Sequence, residues 1–215
     1  MKRNASIILA CVAVTLSSAS MAQVSPLEAK RQQAAAAQRA AQAAQRAAQA
    51  AAAERAAAQR RAANLRKQAQ VSAAADAFYA GYEADENGDF LKAVYFYQKA
   101  ATLGEPAAQY NLGIFYQYGR EGVPVNKPLA AQWYRKAANQ GYADAQNNLG
   151  VMYDFGEGVP EDNNQAVVWY RKAADQGNAS AQSNLGFMYD VGAGVPEDNN
   201  QAVMWYRKAA DQGNA

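Results

Sequence analysis

Residues 143–178 and 179–214 are nearly one sequence written twice: ADAQNNLGVMYDFGEGVPEDNNQAVVWYRKAADQGN and ASAQSNLGFMYDVGAGVPEDNNQAVMWYRKAADQGN, identical at 30 of 36 positions. Residues 106–142 are a looser third copy with one extra residue near Arg120. Residues 76–105 are a degenerate fourth, in which Gly81, Phe96, Lys99, Ala100, Ala101 and Gly104 align and the middle loop is about four residues shorter. A period of this length restricts the fold severely. Each copy is one supersecondary unit, too small to bury its own apolar face, so the copies must stack into a solenoid whose core lies between neighbours.

Each copy parses into two helices. In residues 179–214, Asn178 is a plausible N-cap for a first helix over about 179–189, and in the looser copy Pro106 stands at the first helical position, where proline is favoured. Gly192, Gly194, Val195 and Pro196 break that helix. Asp198 and Gln201 are spaced as a capping box for a second helix over about 199–212, and Gly213 suits the left-handed residue beyond its end. Ala202, Tyr206 and Ala209 share one face of the second helix, and Leu185, Met188 and Tyr189 form the apolar face of the first. Gly186 and Ala202 are small enough to let the two helices approach, with Trp205 covering the joint. The Arg-Lys pairs at 135/136, 171/172 and 207/208 recur with the repeat and are expected as a ladder on the outer helices. Glu161-Asp162-Asn163-Asn164 and its twin at 197–200 lack the spacing and central glycine of a calcium loop, and capping accounts for them.

The runs A-Q-x-N-L-G-x-M-Y (Ala181 to Tyr189), G-x-G-V-P-x-D (Gly192 to Asp198) and A-V-x-W-Y-R-K-A-A-D-Q-G (Ala202 to Gly213) recur from Ala145 and, with small changes, from Ala108. This pattern resembles the Sel1-like repeats, relatives of the tetratricopeptide repeats. The resemblance implies an all-α, right-handed α-solenoid of helix–turn–helix repeats whose first helices line a concave groove. It also implies scaffold or adaptor work through protein partners, often at the bacterial envelope. Cysteine-rich relatives that resemble β-lactam-binding or hydrolysing factors carry a disulfide in each repeat; this chain lacks those cysteines, so that activity is not carried over.

The two closest copies point to a binding face by where they differ. Four of the six differences are Asp144/Ser180, Asn147/Ser183, Val151/Phe187 and Phe155/Val191, at helical spacing on one face of the first helix. In the looser copy that face is Ala107, Tyr110, Ile114 and Tyr118. The candidate partner-binding groove is therefore Tyr110, Ile114, Tyr118, Asn147, Val151, Phe155, Ser183, Phe187 and Val191. Aromatic and aliphatic side chains mixed with small polar ones suit a peptide or a helix. The competing reading places the same residues in the contact between repeats.

Ahead of the repeats runs LEAKRQQAAAAQRAAQAAQRAAQAAAAERAAAQRRAANLRKQAQ, residues 27–70, without glycine or proline and rich in strong helix formers. As a helix it is a rod of about 66 Å. It reads as a spacer, an alanine-seamed coiled coil, or a basic arm that docks residues 30–67 on an anionic surface. Residues 23–72 hold nine Lys/Arg and two Glu, whereas residues 73–215 hold ten Lys/Arg and seventeen Asp/Glu. Before the rod, Lys2 and Arg3, the apolar run from Ser6 to Leu16 and Ser20-Met21-Ala22 form an export signal with cleavage expected between Ala22 and Gln23. The expected organisation is a signal peptide (1–22), a basic helical segment (23–73) and a solenoid (74–215), in a periplasmic protein.

Chemistry is narrowed by what is missing. The sequence has no histidine, and its one cysteine, Cys11, falls in the export signal. Imidazole bases, thiolate nucleophiles and Cys/His metal sites are thus excluded from the mature chain. No catalytic residue, metal, cofactor or nucleic-acid partner is expected. An exported scaffold for protein partners is the leading reading. An envelope enzyme of cell-wall or β-lactam chemistry and a polymer-binding spacer are its rivals. Ala215 aligns with Ala179, the first residue of a further unit, so the sequence leads one to expect either truncation or self-association through an uncapped last repeat.

Overall fold

The structure is a computed structural model that describes residues 25–213. The expected signal segment and Ala215 lie outside these residues. The described residues form eight helices: α1 (Pro26–Glu86), α2 (Phe90–Thr102), α3 (Pro106–Tyr118), α4 (Lys127–Asn139), α5 (Ala143–Asp154), α6 (Asn163–Asp175), α7 (Ala179–Val191) and α8 (Asn199–Ala210). The chain divides into two units, Met1–Arg61 and Ala62–Ala215. In the first unit every residue from 26 onward is helical and exposed, as befits a helix that carries only Leu27 as a large aliphatic side chain. Nothing breaks α1 where the alanine-rich run ends at residue 70. It continues to Glu86, and its last turns are the first helix of the first repeat. Among the described residues no helix is long and apolar enough to cross a membrane.

The second unit is the expected solenoid, with helices α1/α2, α3/α4, α5/α6 and α7/α8 paired repeat by repeat. Within each pair, one contact recurs. A glycine on the first helix (Gly81, Gly113, Gly150, Gly186) lies flat against a tyrosine ring on the second (Tyr97, Tyr134, Tyr170, Tyr206). The side chain that lies on the glycine is thus the tyrosine. Tyr97, Tyr134 and Tyr170 are almost completely buried, while Tyr206 keeps 36 % exposure. The core clusters lie between repeats. One joins Ala130, Tyr134 and Ala137 of α4 to Leu149 and Met152 of α5 and Trp169 of α6, and the next repeats this one unit later with Tyr170, Leu185, Met188 and Trp205.

A second recurring device stitches neighbours together through buried amides. Gln109, Gln146 and Gln182 are among the few buried polar side chains. Each donates from Nε2 to a carbonyl at the end of the preceding second helix: Ala101 (3.1 Å), Ala138 (3.0 Å) and Ala174 (3.2 Å). Each also accepts at Oε1 from a glutamine just beyond its own repeat's second helix: Gln140 (2.8 Å), Gln176 (2.7 Å) and Gln212 (2.8 Å). These bonds give a second donor to helix-end carbonyls that already accept from the N–H groups of Gly104, Gly141 and Gly177.

The turns also lock one repeat to the previous one. Gly158 and Gly194 have φ of 72° and 68°, and a Cβ on either would overlap backbone of the preceding repeat at Lys127 or Asn163. Both the φ and the close approach demand glycine. The caps are largely as read: Asn178 Oδ1 accepts from Ala181 N at 2.9 Å, and Asp198 Oδ1 accepts from Asn200 N at 3.0 Å and Gln201 N at 3.1 Å. The capping box, however, is only half formed. The Asp198 N–H donates to the Tyr189 carbonyl at 2.9 Å, so it has no need of the Gln201 side chain. The carbonyl at the end of the first helix outcompetes the box.

Asp154 sits four residues after Gly150 and accepts from the Tyr170 hydroxyl at 3.2 Å. In the preceding repeat Gln117 holds the same place and accepts from Tyr134 at 2.8 Å. Burial raises the Asp154 carboxyl above its ordinary value, opposed by the Tyr170 hydrogen bond and aided by Glu161. A carboxyl raised on folding binds its proton more tightly in the folded state. Its contribution is therefore full below the ordinary carboxylate value and is lost as the pH rises through the raised one. Asp154→Asn keeps an acceptor for Tyr170 and removes the buried charge. The variant is expected to melt slightly above the wild type at neutral pH, with the two Tm values converging as the solution is acidified.

Candidate partner-binding face

The proposed face lies on α3, α5 and α7, and the structure sorts its residues by depth. Tyr110, Ile114, Asn147, Val151 and Ser183 are half-buried. Tyr110 stacks beside Tyr134 and Tyr142 with ring centroids 5.8 and 5.1 Å away. Ile114 and Val151 each pack against the core cluster of the following repeat. Asn147 accepts from Asn184 at 3.0 Å and donates to Asn148 at 3.3 Å, a row of amides running from repeat to repeat. In contrast, Tyr118, Phe155, Phe187 and Val191 are exposed, at 64, 70, 50 and 51 %.

The split has a simple cause. Ile114, Val151 and Phe187 hold one position in successive repeats, and the first two are covered by the repeat that follows. Tyr118 and Phe155 hold the position one turn further on and stay open beside that neighbour, and Val191 holds it in α7, which no described repeat follows. The residues picked from sequence thus comprise an inter-repeat layer and an outer row of large apolar side chains. Exposed aromatic residues in a row are the usual anchors of a protein interface.

Two features escaped the sequence reading. Tyr79 and Tyr82, at the end of α1, are 68 and 51 % exposed and extend the aromatic surface into the first repeat. Counted from the aligned glycines, Tyr82 occupies the place of Ile114 and Val151, but unlike them it stays exposed although a repeat follows it. The second is the half-buried row Asn111, Asn148 and Asn184, recurrent in each A-Q-x-N-L-G run. Burial, and next the nearby Asp144 carboxylate, push the Tyr110 hydroxyl above its ordinary value. Burial pushes Tyr97 up to about 12, with Asp85 the next cause. These phenols stay protonated at neutral pH.

The Arg-Lys ladder stands on the second helices as expected, and its cations are engaged locally. Lys136, Lys172 and Lys208 lie 3.9, 4.0 and 4.0 Å over the rings of Trp133, Trp169 and Trp205. Arg135 and Arg171 donate to the hydroxyls of Tyr153 and Tyr189 in the next repeat. A cleft of 530 Å³ lined by Arg135, Lys136 and Val159 recurs one repeat later, at 450 Å³, beside Arg171, Lys172 and Gly194. Its recurrence marks it as a product of how repeats stack.

The Sel1 repeat family matches residues 68–105, 106–142, 143–178 and 179–214, about two thirds of the sequence. This chain belongs to the Sel1 repeat family. The match to the first repeat begins at residue 68, inside α1. The Sel1 solenoid is similar to that of a protective antigen of uropathogenic Escherichia coli that displays an SLR fold: 40 % identity over 70 % of this chain and 33 % of the antigen, with a TM-score of 0.63. It is also similar to a Sel1 repeat protein from Oxalobacter formigenes, at 37 % identity over 64 % of this chain and 56 % of that one, with a TM-score of 0.58. The chain thus spans a third and just over a half of these two structures. No curated protein matches it. Sel1 repeats generally mediate protein–protein interactions, and their fold is typically a non-catalytic scaffold.

Proposed function

We propose that this Sel1 protein is an exported, non-catalytic adaptor of the bacterial envelope that holds a protein partner against the outer row of its first helices. One observation carries the reading. Tyr118, Phe155 and Val191 stay open to solvent in three consecutive repeats, while Ile114 and Val151, one turn before the first two, are consumed in packing. A row of large apolar side chains spaced by one repeat suits a partner segment that crosses the repeats, anchored at each by one side chain and flanked by the amides of Asn147 and Asn184. Export to the periplasm is supported by the basic start, short apolar run and small residues of 1–22.

The test is a photo-crosslinking amino acid placed at Phe155 in that exposed row and, as a control, at Gln132 on the second helix α4, in cells that express the full chain. A discrete partner crosslinked from position 155 and absent from 132 is the expected result. Equal labelling from both positions contradicts the proposal. The processed chain should begin at Gln23 and appear in the periplasmic fraction; retention of residues 1–22 on a cytoplasmic protein contradicts the export reading.

A further inference from the structure

The helix that precedes the repeats is exposed along its described length, and its chemistry restricts what it can bind. Every residue from 26 to 73 is exposed. A helix that is polar all round usually draws stability from ion pairs along its own length, yet the one ion pair among the described residues is Lys127–Glu157, at 2.7 Å, in the repeats. Large apolar side chains are confined to Leu27, Leu65 and Val71. An apolar groove is therefore a poor receptor, and an extended acidic surface a good one.

Such a surface exists on the same chain. In a solenoid of helix pairs, the turns from first to second helix all fall along one edge. Three of the four segments that form this edge, 85–92, 154–163 and 190–199, hold ten Asp/Glu against one Lys/Arg, and the fourth, 117–127, holds one against two. The arm between 23 and 72 holds nine Lys/Arg against two Glu. The lengths also suit: residues 30–67 extend about 56 Å as a helix, and four repeats at about 10 Å for each layer present about 40 Å.

We propose that the basic helix of one copy docks along the acidic edge of a second copy, each arm on the other's solenoid. Reciprocal docking closes a two-fold dimer and leaves no unmatched surface to propagate. The charges of arm and solenoid are equal and opposite, +7 and −7, so the pairing neutralises both. The dimer is held by long-range attraction between exposed groups, and salt controls it.

Charge reversal in trans is the test, with the full chain throughout. One variant carries Arg39→Glu, Arg46→Glu and Arg60→Glu on the arm. The other carries Glu121→Lys, Glu161→Lys and Glu197→Lys on the edge, all exposed and none a helix cap. Tyr118, Phe155 and Val191 lie in the same segments, so a third variant, Tyr118→Ser with Phe155→Ser, separates the two readings: it should leave the salt-sensitive dimer intact while it removes the partner crosslink. The expected outcome by sedimentation is a wild-type dimer whose association weakens more than about tenfold as the Debye length falls from ~10 Å at 0.1 M salt to ~3 Å at 1 M. Each charge-reversed variant alone is monomeric, and the equimolar mixture of the two recovers a dimer. Circular dichroism confirms that both variants keep their helices. A wild type monomeric at low salt, an association indifferent to salt, or a mixture that stays monomeric overturns the proposal. So does a monomeric chain whose arm binds phosphatidylglycerol vesicles, which would assign the helix to a lipid surface.

Discussion

Replacing Tyr134 with alanine is expected to lower stability by about 3–5 kcal/mol, the range for deleting a large buried aromatic ring. The ring is completely buried, at 0 % exposure. It fills the space above Gly113, tilts against Tyr110 and donates its hydroxyl to Gln117, itself buried. Alanine opens a cavity between α3 and α4 and strands the Gln117 acceptor. Tyr134→Phe isolates the second effect and should cost about 1 kcal/mol. Tyr206→Ala is the internal control, because Tyr206 is one-third exposed and has less packing to lose. Urea denaturation followed by circular dichroism checks all three. Equal losses at 134 and 206 would show that burial between repeats is not what stabilises the tyrosines.

Gly150→Ala should destabilise by about 1–3 kcal/mol, the cost of an extra methyl in a well-packed core. The sign is informative. At an exposed position inside a helix, glycine to alanine adds about 1 kcal/mol of stability. Here the new Cβ would stand 2.6 Å from Cδ1 of Tyr170, and that ring has nowhere to go: it is 1 % exposed and tethered to Asp154. The double variant Gly150→Ala with Tyr170→Ala is expected to lose less than the sum of the two single losses, since removing the ring removes the clash. Additive losses would mean that the glycine serves something other than the ring.

The sequence made the repeat, the helix pairs and most caps legible, because three aligned copies mark the same boundaries. Gly192, Gly194 and Pro196 announce a turn in one copy, and Gly156, Gly158 and Pro160 announce it again. What pairs with what was harder. The close approach of the helices is legible in the small Gly186 and Ala202, but not that a tyrosine ring lies flat on the glycine. The glutamine ladder was passed over because a polar residue on a helix reads as solvated. Its recurrence beside alanine and leucine, at 109, 146 and 182, was the available hint. The candidate face was legible as a face but not as a depth. Helical spacing places Val151 and Phe155 together, and only the neighbouring repeat decides that the first is covered and the second open.

The first helices present two rows, one that packs against the next repeat and one that stays exposed and that we propose holds a partner. Thermal denaturation of two paired variants tests this division most directly. Ile114→Ala with Val151→Ala should lose several degrees of Tm, since each removes packing from the next repeat's core. Tyr118→Ser with Phe155→Ser should leave Tm within a degree or so of wild type, because exposed side chains contribute little to stability. Tyr118→Ser with Phe155→Ser as damaging as the buried pair would contradict the account, and would return the whole face to the core of the solenoid.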